Sequence, residues 1–362
     1  MQILVLGMHR SGTSAVIRVL NMMGASLGPP DRVKGANPEN PKGFWENDDV
    51  VELNNQVLAA QGCLWCRLSA FDASKLTDEA LSTLARRARD LVIGLDGSRP
   101  WAVKDPRMCL LLPFWRLLLE VPVCVIVNRN ALEVAQSLRT RNHIPLHAGI
   151  AMWELHSLEA LRGSLGLPRI LIQYADVIRD PVGSARWLLE KLEGLGVRGL
   201  ECPGDEEITA FIDPQLYRQK ADEAAVARFL TPSQRRLSDA LADGSALDMT
   251  DVPSFSDAGL DALQGYDTTL RMQMRVRQLK DIVEEREGEI RDVQQRLDES
   301  TEDRGRLEAA LREAGQGDTS GAGLAAMAVE MQRLNARVSA LERALGEANE
   351  GIREIKGRLS EP

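Results

Sequence analysis

Gly7-Met8-His9-Arg10-Ser11-Gly12-Thr13-Ser14 directly follows an apolar run, Ile3-Leu4-Val5-Leu6. It directly precedes a helical pattern, Ala15, Val16, Val19, Leu20 and Met23, which stops at Gly24. The order is strand, glycine-bounded loop, helix. In such a unit the loop N–H groups and the first helical turn point at one spot, with the positive end of the helix dipole behind them. The spot favours an anion, usually a phosphate. Gly7 and Gly12 let the backbone wrap close to it. His9, Arg10, Ser11, Gly12, Thr13 and Ser14 are therefore the candidate anion-binding residues, with Arg10 as the cation and Thr13 and Ser14 as hydroxyl donors.

The spacing G-x-x-x-x-G is that of a nucleoside-triphosphate loop, but Thr13 stands where that loop carries Lys. Without the lysine the contact to the β- and γ-phosphates is missing. A nucleotide with a shorter anionic chain fits better. The chain has 362 residues, enough for one large domain and something more, and its 44% hydrophobic content can fill a core. A net charge of −9 argues against nucleic acid as the main partner. Five scattered cysteines suggest a reducing compartment without a disulfide framework. Cys63-Leu64-Trp65-Cys66 has C-x-x-C spacing but lacks the second ligand pair of a zinc site, so a structural role is expected. The first strand leaves no room for a signal peptide, and no apolar run approaches the ~20 residues that span a membrane. A cytoplasmic, bacterial protein is expected.

Further along, a loop rich in Gly, Pro, Asn and Asp ends in Asn40-Pro41-Lys42-Gly43-Phe44-Trp45-Glu46-Asn47. A helix is expected from Asp48 and a charged one from Thr77 to Leu91. Trp101-Ala102-Val103 then delivers Lys104-Asp105-Pro106-Arg107 to a strand end, where ligands of open α/β sheets gather. Val121 to Val127 is an uninterrupted apolar run, expected as a strand buried on both faces, and it ends in Asn128-Arg129-Asn130. Arg129 and Ser137 stand eight residues apart, on a strand end and on the following helix. A guanidinium grips a phosphate through paired hydrogen bonds, and a serine adds a donor. With the first loop this makes two anion sites on one sheet edge, which suits a bisphosphorylated nucleotide. A last strand, Arg169 to Tyr174, precedes Asp176 and Asp180-Pro181.

Arg10-Ser11-Gly12-Thr13-Ser14 after a buried first strand resembles the 5′-phosphosulfate loop of the sulfotransferases that use 3′-phosphoadenosine 5′-phosphosulfate (PAPS). The form is that of bacterial and Golgi-type members, with Arg where cytosolic enzymes carry Lys. Arg129 through Ser137 is similar to the family's 3′-phosphate motif, and Tyr174-Ala175-Asp176 with Asp180-Pro181 is similar to a later segment. By this resemblance Tyr174 packs near the adenine. The fold implied is α/β, a P-loop-like parallel sheet flanked by helices, with C-terminal coiled-coil helices after it. Two family segments are missing. The Arg-Lys-Gly stretch that completes 3′-phosphate binding is absent, with Arg218 as a substitute. Lys104-Asp105-Pro106 replaces the Lys-Thr-His-Leu-Pro stretch that supplies the base in cytosolic members.

The resemblance implies PAPS as co-substrate, no required metal, and an acceptor hydroxyl, expected on a carbohydrate such as a polysaccharide precursor or a glycolipid. Arg10 and the loop would hold the 5′-phosphosulfate, and Lys104 would neutralise the bridging oxygen. Glu46, Asp105 and His143 are the candidate bases, with Glu46 favoured; the competing role for Glu46 is to cap the helix at Asp48. Phe44 and Trp45 are candidates to stack on a sugar face. A small-molecule kinase is the second reading, with Leu91 to Asp96 as its magnesium-binding strand. A non-catalytic nucleotide-binding scaffold is the third.

The sulfotransferase part is expected over residues 1–237, with a loose linker at 238–262. Heptads then appear, with Thr269, Val276, Val283, Ile290, Leu297, Arg304 and Leu311 at a, and Met272, Leu279, Arg286, Val293, Ser300 and Leu307 at d. These define coiled-coil segments over 263–312 and 324–360, separated by a glycine-rich break at 313–323. In the second segment every a and d residue is apolar, from Leu324 to Leu359. A hairpin and a parallel oligomer fit the heptads equally. Self-association or partner docking through this tail is expected, with peripheral membrane association as a further option.

Overall fold

Runs such as Val123-Cys124-Val125-Ile126-Val127 lack polar alternation, so they need cover on both faces. In the computed structural model of the chain, which describes residues 1–35, 43–212, 221, 223–315 and 321–360, they obtain it. The strands β1 (Gln2–Leu6), β2 (Trp101–Lys104), β3 (Val123–Asn128) and β4 (Arg169–Gln173) form one sheet of order β2-β1-β3-β4, with every pairing parallel. The helices are α1 (Thr13–Met22), α2 (Asp48–Ala60), α3 (Ser82–Asp96), α4 (Met108–Arg116), α5 (Ala131–Asn142) and α6 (Leu146–Gly163). After β4 come α7 (Tyr174–Arg179), α8 (Pro181–Gly194), α9 (Asp205–Phe211), α10 (Glu223–Phe229) and α11 (Pro232–Asp243). Two long helices follow, α12 (Asp257–Ala314) and α13 (Gly321–Ser360). The fold is thus the expected α/β architecture, a parallel sheet flanked by helices and followed by long C-terminal helices.

Alternation along the strands splits the core into two layers. Ile3, Val5, Val123, Val125, Val127, Ile170 and Ile172 pack with Val16, Ile17 and Leu20 of α1 and with Leu188 and Leu192 of α8. The other sheet face lies under α4 to α6, where Leu110, Leu111, Leu132, Leu138 and Trp153 are buried. The chain moves outward from β1 to β2, then crosses back to place β3 on the other side of β1. The crevice between the carboxyl ends of β1 and β3 is therefore the topological switch point, where open α/β sheets place their ligands.

Several expectations need correction. The charged helix sits at Ser82–Asp96, after two short 3₁₀ turns, rather than at Thr77–Leu91. Leu91 to Asp96 is its last part and forms no strand. Asp96 there accepts from Arg99 Nε at 2.9 Å and Trp101 Nε1 at 2.7 Å; the Arg99 guanidinium first, then Trp101, hold its carboxyl down at about 2. The magnesium-binding strand of the kinase reading is thereby removed.

The stretch at 238–262 is not a loose linker. Leu241, Ala246 and Val252 are buried. Glu154 accepts from Gln234 Nε2 at 2.7 Å and from the Ser256 N–H at 3.0 Å, and Gln173 donates to the Leu241 carbonyl at 2.8 Å. The first compact unit accordingly runs Met1–Asp267 and the second Thr268–Pro362.

In the second unit the two heptad runs fold back on each other. Lys356 of α13 pairs with Glu287 of α12 at 2.7 Å. Farther along α12, Ile290, Gln294 and Asp298 border a groove with Leu345 and Asn349 of α13. One helix advances as the other recedes, so the pairing is antiparallel, and Val338, Leu341 and Ile352 are buried in it. The break between the runs is shorter than expected, because Gly321 and Gly323 already belong to α13.

Candidate functional site

Each strand delivers one element to the same sheet edge. The Gly7-to-Ser14 loop follows β1, Lys104 ends β2, Arg129 follows β3, and Tyr174 follows β4. Gly12 precedes α1 in the left-handed region at φ 91°, and among the described residues no side chain caps the first-turn N–H groups of the helix. A Cβ at Gly12 would run into the Tyr174 ring. Glycine is thus required here both for conformation and for space. Arg10 is also left-handed, at φ 72°. That costs a non-glycine residue about 1 kcal/mol, and such strain clusters at ligand sites.

The side chains interlock. Arg10 Nε donates to Ser137 Oγ at 3.0 Å, and Arg129 Nη1 donates to the Arg10 carbonyl at 3.0 Å. Arg129 also holds Glu133 at 3.0 Å and stacks 4.9 Å above the Tyr174 ring centre. Lys104 Nζ lies 2.6 Å from Glu46 Oε1 and donates to Ser14 Oγ at 3.3 Å. His9 rests against Trp65, ring centres 4.8 Å apart, and its Nε2 is buried without a hydrogen-bond partner. Burial first, then the nearby Arg107 cation, holds His9 well below the usual histidine range, so it is neutral at pH 7. The structure thus brings together Arg10, Ser14, Glu46, Lys104, Arg129, Ser137 and Tyr174. Tyr174 faces the loop and Arg129; burial pushes its hydroxyl upward, so it stays protonated.

Two of the three base candidates are placed elsewhere. Asp105 is fully buried and accepts from Arg107 Nη1 at 2.6 Å, the Arg107 N–H at 3.1 Å and Asn54 Nδ2 at 2.7 Å. It organises the core beside the site. His143 is exposed and closes α5 as its left-handed C-cap. Nor does Glu46 cap α2. Asn47 does so, accepting from the Asp49 and Val50 N–H groups at 3.1 and 3.3 Å. Half-buried Trp45 has Arg18 stacked on its ring at 4.3 Å and Phe211 in a T-shaped contact beside it. Phe44 lies between Lys34 and Arg141 at 5.5 and 5.3 Å. Arg218 and Asn40 to Lys42 lie outside the described residues.

Sequence reasoning missed Glu133, Asn54 and His156, and it placed Arg107 at the strand end without seeing that it pairs with Asp105. Glu133 had a visible signal, since it stands four residues after Arg129 on one helix face. The others are read only from burial. His156 Nδ1 lies 2.7 Å from the Met152 carbonyl, which can only accept, so the neutral ring carries its proton there and its buried Nε2 keeps an unpartnered lone pair. Burial lowers His156 from 6.5 to about 4. Stability should therefore be flat above the ordinary value and fall as pH drops toward the folded one, by up to roughly 1.4 kcal/mol per pH unit. His9 adds in the same sense. Urea denaturation at about pH 7 and pH 5.5 checks this, and His156→Gln should remove part of the slope.

Gly7 N–H donates to the buried Cys109 Sγ at 3.0 Å, and burial pushes that thiol up to about 12. Cys63 and Cys66 are also raised by burial, which makes them poor thiolates. Among the described residues no group of three or more His, Cys, Asp or Glu side chains is arranged to hold a metal ion. Also among them, no helix is long and apolar enough to cross a membrane.

No family model matches the chain, and no curated protein matches it. Two sulfotransferase domains resemble it. One is the sulfotransferase domain from the curacin biosynthetic pathway, 16% identical, covering 66% of this chain and 96% of that one, with a TM-score of 0.37. The other is the sulfotransferase domain from the Synechococcus PCC 7002 olefin synthase, 18% identical, covering 74% and 94%, with a TM-score of 0.34. At these identities and scores, what this chain does rests on its own side chains.

Proposed function

We propose that the chain moves a sulfuryl group from PAPS to an acceptor hydroxyl, with a carbohydrate as the acceptor class. One observation carries the reading. Arg10, Lys104 and Arg129 converge with the uncapped N-terminus of α1 at the switch point, and of the two carboxylates described there Glu133 is held by Arg129 while Glu46 stands beside Lys104. Two anion sites and one base are what an in-line transfer from a bisphosphorylated donor needs. The loop and Arg10 hold the 5′-phosphosulfate, while Arg129 and Ser137 hold the 3′-phosphate. The acceptor oxygen attacks sulfur as the bond to the bridging phosphate oxygen breaks. Glu46 takes the hydroxyl proton, and Lys104 neutralises the charge left on the bridging oxygen. The carbohydrate class comes from the sequence resemblance and stands or falls with it.

Calorimetric titration with 3′-phosphoadenosine 5′-phosphate tests the reading. Wild type should bind, and Arg129→Ala should bind about 10- to 100-fold more weakly, the worth of a charged hydrogen-bond pair. Binding of ATP with magnesium in its place, or of neither nucleotide, would overturn it.

A further inference from the structure

Between Asp267 and Asp281 the sequence has no acidic residue, yet it carries Arg271, Arg275, Arg277 and Lys280, in a chain whose net charge is −9. Residues 271–278 are exposed on every face of α12. Met272 is 64% exposed and Val276 41%. Along one side of the helix run Met272, Val276, Leu279 and Val283, the a and d positions. Arg275 and Lys280 flank that stripe at g and e, while Arg271 and Arg277 lie farther round. Cations farther down the hairpin have carboxylate partners, such as Arg286 with Glu289 and Lys356 with Glu287. The stretch itself contains no carboxylate; at its far end Lys280 borders a groove with Glu284 and Glu287, while Arg271 and Arg275 have no acidic residue three or four positions farther on.

We propose that residues 271–280 of α12 dock on an anionic lipid surface, lying flat with Met272, Val276 and Leu279 turned into the headgroup boundary. The flanking Arg275 and Lys280 can snorkel to the phosphates while their stems cover the apolar edge. Charge decides against a second copy of this chain on the same stripe. In a parallel pair the g residue Arg275 meets e residue Lys280 of the other copy, and in an antiparallel pair like again meets like. An acidic surface relieves that repulsion. The inference is independent of the transfer chemistry, because it uses no residue of the candidate site.

Sedimentation of the full chain with vesicles tests it. Binding is expected to phosphatidylcholine mixed in equal parts with phosphatidylglycerol, and not to phosphatidylcholine alone. Raising the salt should release it. Arg275→Gln with Lys280→Gln should weaken binding by about fivefold per cation removed. M272E with V276E should abolish it, with helix content by circular dichroism unchanged, since these side chains are exposed. Equal binding to both vesicle types, no binding, or variants that bind like wild type would each overturn the proposal. Light scattering in the same buffers covers the rival occupant. A dimer that M272E with V276E dissociates, without vesicle binding, would assign the stripe to a second copy.

Discussion

Asp105→Ala should cost the first unit about 3–5 kcal/mol of stability, the usual result of stripping one partner from a buried ion pair. The carboxylate is fully buried and serves three donors, Arg107 Nη1 at 2.6 Å, the Arg107 N–H at 3.1 Å and Asn54 Nδ2 at 2.7 Å. Alanine leaves the Arg107 guanidinium, itself 8% exposed, without its nearest counter-charge. Asn54 also loses an acceptor while still bound through Oδ1 to Trp115 Nε1 at 2.8 Å, so it cannot turn away freely. Asp105→Asn keeps the shape and part of the hydrogen bonding but not the charge, so it should fall between the two. By contrast, Arg286→Ala on the exposed hairpin pair with Glu289 should leave the first unit's urea midpoint where it is in wild type. All six tryptophans lie before residue 188, so their fluorescence in urea reports the first unit. A midpoint unchanged in Asp105→Ala would mean that water replaces the carboxylate, and Asp105 would return as a candidate base.

The parts of this molecule that were legible in the sequence are those carried by local pattern. The first strand, loop and helix follow from an apolar run, two glycines and a 3.6-residue period. The strand before Arg129 follows from five consecutive apolar residues, and the Arg129–Ser137 spacing from the turn after them. Contacts between distant segments were not legible. Glu46 and Lys104 are 58 residues apart, and only the sheet brings them to 2.6 Å. Asp105 and Glu46 look alike as candidate bases in one dimension; burial separates them, because Asp105 is consumed by Arg107 and Asn54. Leu91 to Leu95 shows the ambiguity of short apolar runs, which serve a half-buried helix as well as a strand. The stretch after Ser238 has a linker's composition, yet Glu154 ties it down through Gln234 and Ser256. Heptads reveal a seam but not who fills it, so the hairpin became visible only with Lys356 beside Glu287.

Lys104→Ala should lower the rate of PAPS turnover by about 10²–10³-fold, the usual cost of removing one preorganised charge from the transition state. Affinity for 3′-phosphoadenosine 5′-phosphate should change by less than about tenfold, because in the proposed mode the phosphates rest mainly on the loop, Arg10 and Arg129. The split follows from position. Lys104 Nζ touches Ser14 Oγ at 3.3 Å on the first turn of α1 and Glu46 Oε1 at 2.6 Å, so it stands between the loop and the base. It is only 2% exposed, and alanine leaves Glu46 as a buried carboxylate without its counter-charge. Glu46→Gln should therefore also cut turnover, and the double variant should lose less than the two single losses combined, as groups that act as a unit do. Formation of the bisphosphate from PAPS, with and without a simple sugar, measures the rate; calorimetry measures the affinity. If affinity collapses along with rate, Lys104 belongs to nucleotide binding and not to the bridging oxygen. If neither changes, the Lys104–Glu46 pair only braces the loop, and the base must be sought among other side chains at the switch point.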